Sequence, residues 1–112
     1  MWLPALGLIV GIAIGLVFSL SVPVEYARYT AIAIVAALDS VLGAARAELQ
    51  GEYDNGVFLS GLVVNSLVAG VLTFVGDRLG VELYLAAIVA FGVRLFNNLA
   101  VIRRHLLKRR AA

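Results

Sequence analysis

Cysteine is absent from the 112 residues, which excludes disulfides, thiolate nucleophiles and cysteine-ligated metals. Histidine occurs once, at His105 in a basic stretch near the C-terminus, so no Ser/His/Asp set can be assembled around it. No glycine-rich phosphate loop follows a strand pattern. Asp39, Glu48, Glu52 and Asp54 do not make a paired-carboxylate site, because the last three fall together in one polar connection. These absences nominate no catalytic residue, no metal ligands and no cofactor, and the chain reads as non-enzymatic. Lys and Arg are missing before Arg28, and the apolar run there is too long for the core of a secretory signal, so it reads as a retained span.

What remains is strongly apolar. Hydrophobic residues make up 62% of the chain, against about half in soluble domains, and the mean hydropathy is +1.01. A helix needs about 20 mainly apolar residues to cross a hydrocarbon core about 30 Å thick. Four such segments consume nearly the whole chain: residues 3–20, 26–47, 57–76 and 81–102, followed by a basic tail, 103–112. Between them lie "SVPVEYARY", where Pro23 disfavours helix at Val22, then "ELQGEYDNG" and "GDRLGVE". The fold class predicted is all-α, an integral membrane four-helix bundle of two transmembrane hairpins forming a single domain.

Each segment carries small or polar residues at helical spacing, the pattern by which helices approach closely in lipid. In the first these are Gly7, Gly11, Gly15 and Ser19; in the second Ala36, Asp39, Gly43 and Arg46. The third offers Gly61, Asn65, Ala69, Thr73 and Gly76, and the fourth Ala87, Ala90, Arg94, Asn97 and Asn98. Tyr26, Tyr29, Tyr53 and Tyr84 fall near segment ends, where interfacial aromatic belts form. Counting Lys and Arg by side favours both termini in the cytoplasm. That orientation puts Arg46 and the tail residues Arg103, Arg104, Lys108, Arg109 and Arg110 inside, with only Arg28 and Arg78 outside. An alternative with three crossings makes the second segment re-entrant around Asp39.

Asp39 and Arg94 are the two charges that fall well inside apolar segments, and they have opposite sign. A charge at the centre of a membrane helix costs about 2.5–3.5 kcal/mol on insertion scales, so such ions pair, face a wet cavity, or both. The simplest reading is an intramembrane ion pair, with Asn65, Asn97 and Asn98 as a polar network around it. A weak internal repeat at an offset of 54 to 55 aligns Tyr29 with Tyr84 and Asp39 with Arg94, which would place the pair at similar depth. Its roles remain open: locking the bundle, binding a partner within the membrane, or serving an ion or proton pathway. Gly7, Gly11 and Gly15 suit helix packing, and the basic tail suits anionic lipid or a partner at the cytoplasmic surface. Because the basicity is confined to that tail, no nucleic-acid partner is implied.

The segments "MWLPALGLIVGIAIGL", "SVPVEYARY", "AALDSVLGAARAEL" and "YLAAIVAFGVRLFNNLAVIRR" resemble the bacterial small basic protein family, membrane proteins of unknown function, over almost the whole chain. The resemblance implies a multi-pass protein of the bacterial cytoplasmic membrane, encoded near cell-division genes, and no assigned catalytic residue. A looser likeness to small fluoride channels rests on "GAAR" and "GLVVN", but the phenylalanine- and threonine-rich box of those channels is missing. Small multidrug transporters carry a glutamate in the first span, and this first segment has no charge. The function expected is helix association with a second copy or a membrane partner, in a division or envelope assembly. The alternative is a small oligomeric transporter or channel using Asp39 and Arg94.

Overall fold

The computed structural model of the chain describes residues 2–18 and 23–111, with the side chains of residues 15, 18 and 109–111 excepted. The described residues form four α-helices and no strand: α1 Trp2–Phe18, α2 Ala27–Leu49, α3 Asn55–Leu79 and α4 Tyr84–Ala111, with a 3-10 turn at Val24–Tyr26 before α2. Helix α2 is unbroken through Asp39. Helix α4 starts later than the predicted fourth segment and continues through the basic stretch that was expected to form a separate tail.

Local chemistry fixes the turns. Gly51 and Gly80 take φ of 73° and 72°, the left-handed conformation that glycine adopts without penalty. At each, the next amide reaches back five residues: Glu52 N–H donates to Ala47 O at 2.8 Å and Val81 N–H to Gly76 O at 2.9 Å. These are the bonds that close a helix C-terminus. At the start of α3, the Asp54 carboxylate accepts from the Val57 amide at 3.1 Å, satisfying one of the orphan donors of the first turn.

Helix α2 is central. It runs parallel to α4 and antiparallel to α3, with a buried cluster of Ile32, Ala36, Ala69, Ala87 and Phe91 between them. Thr73 is 1% exposed and hydrogen-bonds the Ala69 carbonyl at 2.8 Å, so its hydroxyl is satisfied within its own helix. Alanines at the contacts let the backbones approach, and a Cβ at Gly76 would collide with the Val81 carbonyl. Bulky side chains such as Val63, Leu67, Val71, Val89, Val93 and Phe96 point outward instead. Among the described residues, three helices are long and apolar enough to cross a membrane: α2 with its leading turn, α3 and α4.

Helix α1 differs. At 17 residues it spans only about 25 Å at the helical rise. Pro4 is buried, yet most of the remaining described side chains of α1 are exposed. The expectation that its glycine stripe packs closely on a neighbouring helix fails within this chain, since a Cβ built at Gly7 or Gly11 meets nothing within 4 Å. The cause is that α1 leans on α2 and α3 by its N-terminal end, leaving an apolar groove of about 480 Å³ under Gly7 and Gly11. The Gly15 and Ser19 members of that stripe lie outside the described set.

Candidate functional site

The parallel packing of α2 on α4 holds residues about 55 apart in sequence side by side and produces two levels of polar contact, and a third joins the start of α2 to the end of α3 and the turn that leads into α4. At the N-terminal end of α2, Arg28 reaches Asp77 and Glu82, each at 3.1 Å, and its guanidinium lies 5.2 Å from the centre of the Tyr84 ring. Near the other end, Arg46 Nη1 donates to Asn98 Oδ1 at 3.2 Å. Midway between these levels, Arg94 Nη2 approaches Asp39 Oδ2 at 3.5 Å.

The middle level is chemically unusual. Asp39 is 0% exposed, while the Arg94 side chain is 57% exposed. Neither carboxylate oxygen accepts a hydrogen bond from the described residues, and 3.5 Å is too long for the strong bidentate geometry of arginine and carboxylate. A buried carboxyl group is therefore approached by one off-centre cation. Ionised carboxylates in apolar surroundings need several partners to offset desolvation.

The asparagines do not supply them. Asn98 is buried but engaged with Arg46, Asn97 points outward, and Asn65 lies half-buried in the wall of a cleft. Of the expected network only Asn65 lies beside the pair, lining both clefts with Arg94, while Asn97 and Asn98 sit about 100° apart around α4 and turn elsewhere. In the tail, Arg103, Arg104 and Lys108 are exposed on the last turns of α4, while the side chains of Arg109 and Arg110 lie outside the described set.

Two clefts meet at the middle level. One, of about 230 Å³, runs between α2 and α3 from Glu52, Tyr53 and Asp54 to Asp39, Asn65 and Arg94. The other, of about 270 Å³, separates α3 from α4 and is lined by Val68, Leu72, Ala86, Ala90 and again Asn65 and Arg94. The Tyr53 hydroxyl is buried without a hydrogen-bond partner. Desolvation, and then the negative charges of Glu48 and Asp54, push that phenol above its usual range.

Residues 22–107 match the family described as "Protein of unknown function (DUF1290)". A relative named "Small basic protein" in Bacillus subtilis is 59% identical over 107 residues, covering 96% of this chain and 88% of the relative. The chain belongs to this family of unknown function. An uncharacterised protein of Mycobacterium bovis is 46% identical over 112 residues, covering 94% of this chain and 93% of that one, and one of Mycobacterium tuberculosis matches to the same extent. No solved structure matches the fold.

The Arg28 clamp and the two clefts are the features that sequence reading missed. A signal for the clamp existed, since Arg28 stands 54 residues before Glu82, within one residue of the offset of 55 that aligns Asp39 with Arg94. The clefts had none, because they depend on how far α3 leans away from its neighbours.

Proposed function

We propose that this protein is a multi-pass protein of the bacterial cytoplasmic membrane that works by lateral helix association with a second copy or a larger membrane protein, without catalysis of its own. In this reading α1 together with the residues after it makes a fourth crossing, and both termini face the cytoplasm. The observation that carries the proposal is the 57% exposure of Arg94 midway along an apolar helix. Facing lipid there, a guanidinium costs about 2.5–3.5 kcal/mol. Its contact with Asp39 turns it inward, away from the snorkelling route by which arginines near helix ends reach water. A protein surface laid over the α3 and α4 cleft removes that cost. The uncovered glycine face of α1 offers a second place for close approach, the basic turns of α4 suit anionic lipid, and the family resemblance directs the search for a partner to division and envelope assemblies.

The absence of cysteine makes the test clean. A cysteine replacing Ala90, beside Arg94 on the cleft, is expected to cross-link in native membranes to a second copy or to one discrete larger partner. Arg94→Gln in the same chain should reduce that product several-fold. A chain that stays monomeric and unlinked from Ala90, at native abundance, refutes association through this face. For topology, a cysteine at Val81 should react with an impermeant thiol reagent from outside while one at Asn55 does not, and the reverse pattern inverts the orientation.

Transport is the second reading, favoured by the cleft that leads to Asp39. Against it, the layer beyond Asp39 is filled by Ala36, Ala69 and Phe91, all buried, which offers no polar continuation toward Arg28. Vesicles loaded with this protein should therefore show no proton, alkali cation or fluoride flux that depends on Asp39.

A further inference from the structure

The cleft between α2 and α3 has a charge pattern that helix association does not use. Its mouth carries Glu52 and Asp54, with Tyr53 between them, and it ends at Asp39, Asn65 and the Arg94 guanidinium. These are the titratable and charged groups among its lining residues. The mouth is anionic, and the cationic Arg46 nearby is turned toward Asn98 on α4. At the inner end the carboxylate is fully buried with both oxygens lacking hydrogen bonds, touched by Arg94 on Oδ2 alone. Ser40 and Asn65 add a hydroxyl and an amide to the same walls. Oxygen donors of this kind suit hard cations, and a volume of about 230 Å³ leaves room for several waters to carry one in.

We propose that this cleft binds a small monovalent cation at Asp39, admitted from the Glu52 and Asp54 end and from that end alone. Acidic residues at the mouth concentrate cations, and a low-dielectric wall focuses their field along the cleft. Toward Arg28 the buried layer of Ala36, Ala69 and Phe91 blocks the way, and the second cleft that meets the site at Asn65 and Arg94 is otherwise lined by apolar side chains, so a cation enters and leaves at the acidic end. Because Asp39 is fully covered, the arriving cation takes the place of the Arg94 guanidinium beside Oδ2. Arg94 then swings toward the α3 and α4 cleft, which already borders it. Occupancy thereby changes the surface offered to a partner. The cation is either a hydronium or an alkali ion, and the two are separable by experiment.

Gly61 lines the cleft, and a Cβ there meets nothing within 4 Å, so Gly61→Cys places a reporter with little disturbance. The full chain carrying that change is placed in right-side-out and inverted vesicles and treated with cationic and anionic methanethiosulfonate reagents of similar size. The cationic reagent should react about tenfold faster, only from the side bearing the end of α4, and Glu52→Gln should narrow the difference. Replacing N-methylglucamine by sodium or potassium at constant ionic strength and pH identifies an alkali ion, and lowering pH without alkali ions identifies hydronium. At ten times the half-protecting concentration, modification should slow about tenfold, and Asp39→Asn should abolish that protection. If Asp39→Asn does not fold, the unmodified chain decides the matter: its resistance to unfolding in detergent must rise with the protecting ion. Equal rates for both reagents, access from the opposite side, or protection by neither alkali ion nor acid overturns the proposal. Loss of cross-linking at Ala90 with protection intact would refute association alone and leave the cation site standing.

Discussion

Removing the positive half of the central pair should harm the protein more than removing the negative half, although both changes break the same contact. Asp39 is 0% exposed and Arg94 57% exposed, so the two partners differ in what they can do when left alone. Arg94→Gln strands a fully buried carboxylate whose oxygens already lack hydrogen bonds. Breaking a buried pair from one side costs about 3–5 kcal/mol, and the half-open position of Arg94 lowers the expectation to about 2–3 kcal/mol. Asp39→Asn replaces the anion by a neutral side chain of the same shape and leaves behind an arginine that still reaches the clefts, for a loss of about 1 kcal/mol. The double variant should then resemble Asp39→Asn, giving a coupling of about 2–3 kcal/mol where additive sites would give none. Unfolding in mixed detergent micelles, followed by helical circular dichroism for wild type, both single variants and the double variant, measures the cycle. If Asp39→Asn proves the more damaging single change, or if the double variant equals the sum of the singles, the pair is not what holds this level together.

The same assay covers two further substitutions. Gly76→Ala drives a methyl against the Val81 carbonyl and to 3.0 Å from the Leu83 amide, both backbone atoms of a tight turn, and should cost about 1–3 kcal/mol. Gly70→Ala, with nothing within 4 Å of its Cβ, is the matched control and should be neutral or slightly stabilising. Asp54→Ala removes the acceptor for the Val57 amide and should cost about 1 kcal/mol, whereas Asp54→Asn keeps the cap and most of the stability. Tyr53 provides a pH test. Its phenol is raised above the usual range by desolvation and by Glu48 and Asp54, so the folded state holds the proton more tightly than the unfolded one. Its contribution is complete below the ordinary tyrosine range and is lost as pH climbs through the raised value. Ultraviolet titration should show a late phenolate step that disappears in Tyr53→Phe.

Much of the fold was legible because lipid-type packing writes itself as small residues at helical spacing. Of the inward faces nominated on α2 and α3, Ala36, Asp39, Ala69, Thr73 and Gly76 are buried, whereas Gly43, Arg46, Gly61 and Asn65 are half-buried. On α4 the reading slipped. Ala87 and Asn98 face inward, but so does Phe91, while Ala90 and Asn97 are exposed. Selecting by small size misled there, since the gap opposite Ala36 and Ala69 is wide enough to take an aromatic ring. The glycines of α1 misled for a related reason: small residues permit close approach but do not supply the helix that approaches. The placement of Asn97 and Asn98 away from the pair was hidden because it depends on a rotation of α4 that hydropathy leaves undetermined.

The register between α2 and α4 ties these observations together. Asp39 with Arg94 and Arg46 with Asn98 are separated by 55 and 52 residues, so one alignment of two parallel helices produces both contacts, and Arg28 extends the series by reaching Glu82, 54 residues on, in the turn just before α4. Their energetic weights differ. The Arg28 contacts are between side chains 37–55% exposed, where ion pairs contribute about 0–1 kcal/mol each. The Arg46 contact joins a charge to a neutral amide. Only the Asp39 contact involves a fully buried charge, so it alone penalises an error in alignment severely. A slip of one helical turn, about 5.4 Å, would carry Arg94 beyond reach of Asp39 and leave the carboxylate with no partner. The pair is therefore better understood as the element that selects a register than as a large net source of stability, since replacing buried ion pairs by apolar groups often costs little. That register also brings Arg94 to the point where the two clefts meet. Any device that neutralises Asp39 from the Glu52 end would act on the one contact whose release both loosens the alignment and frees a cation toward the partner face.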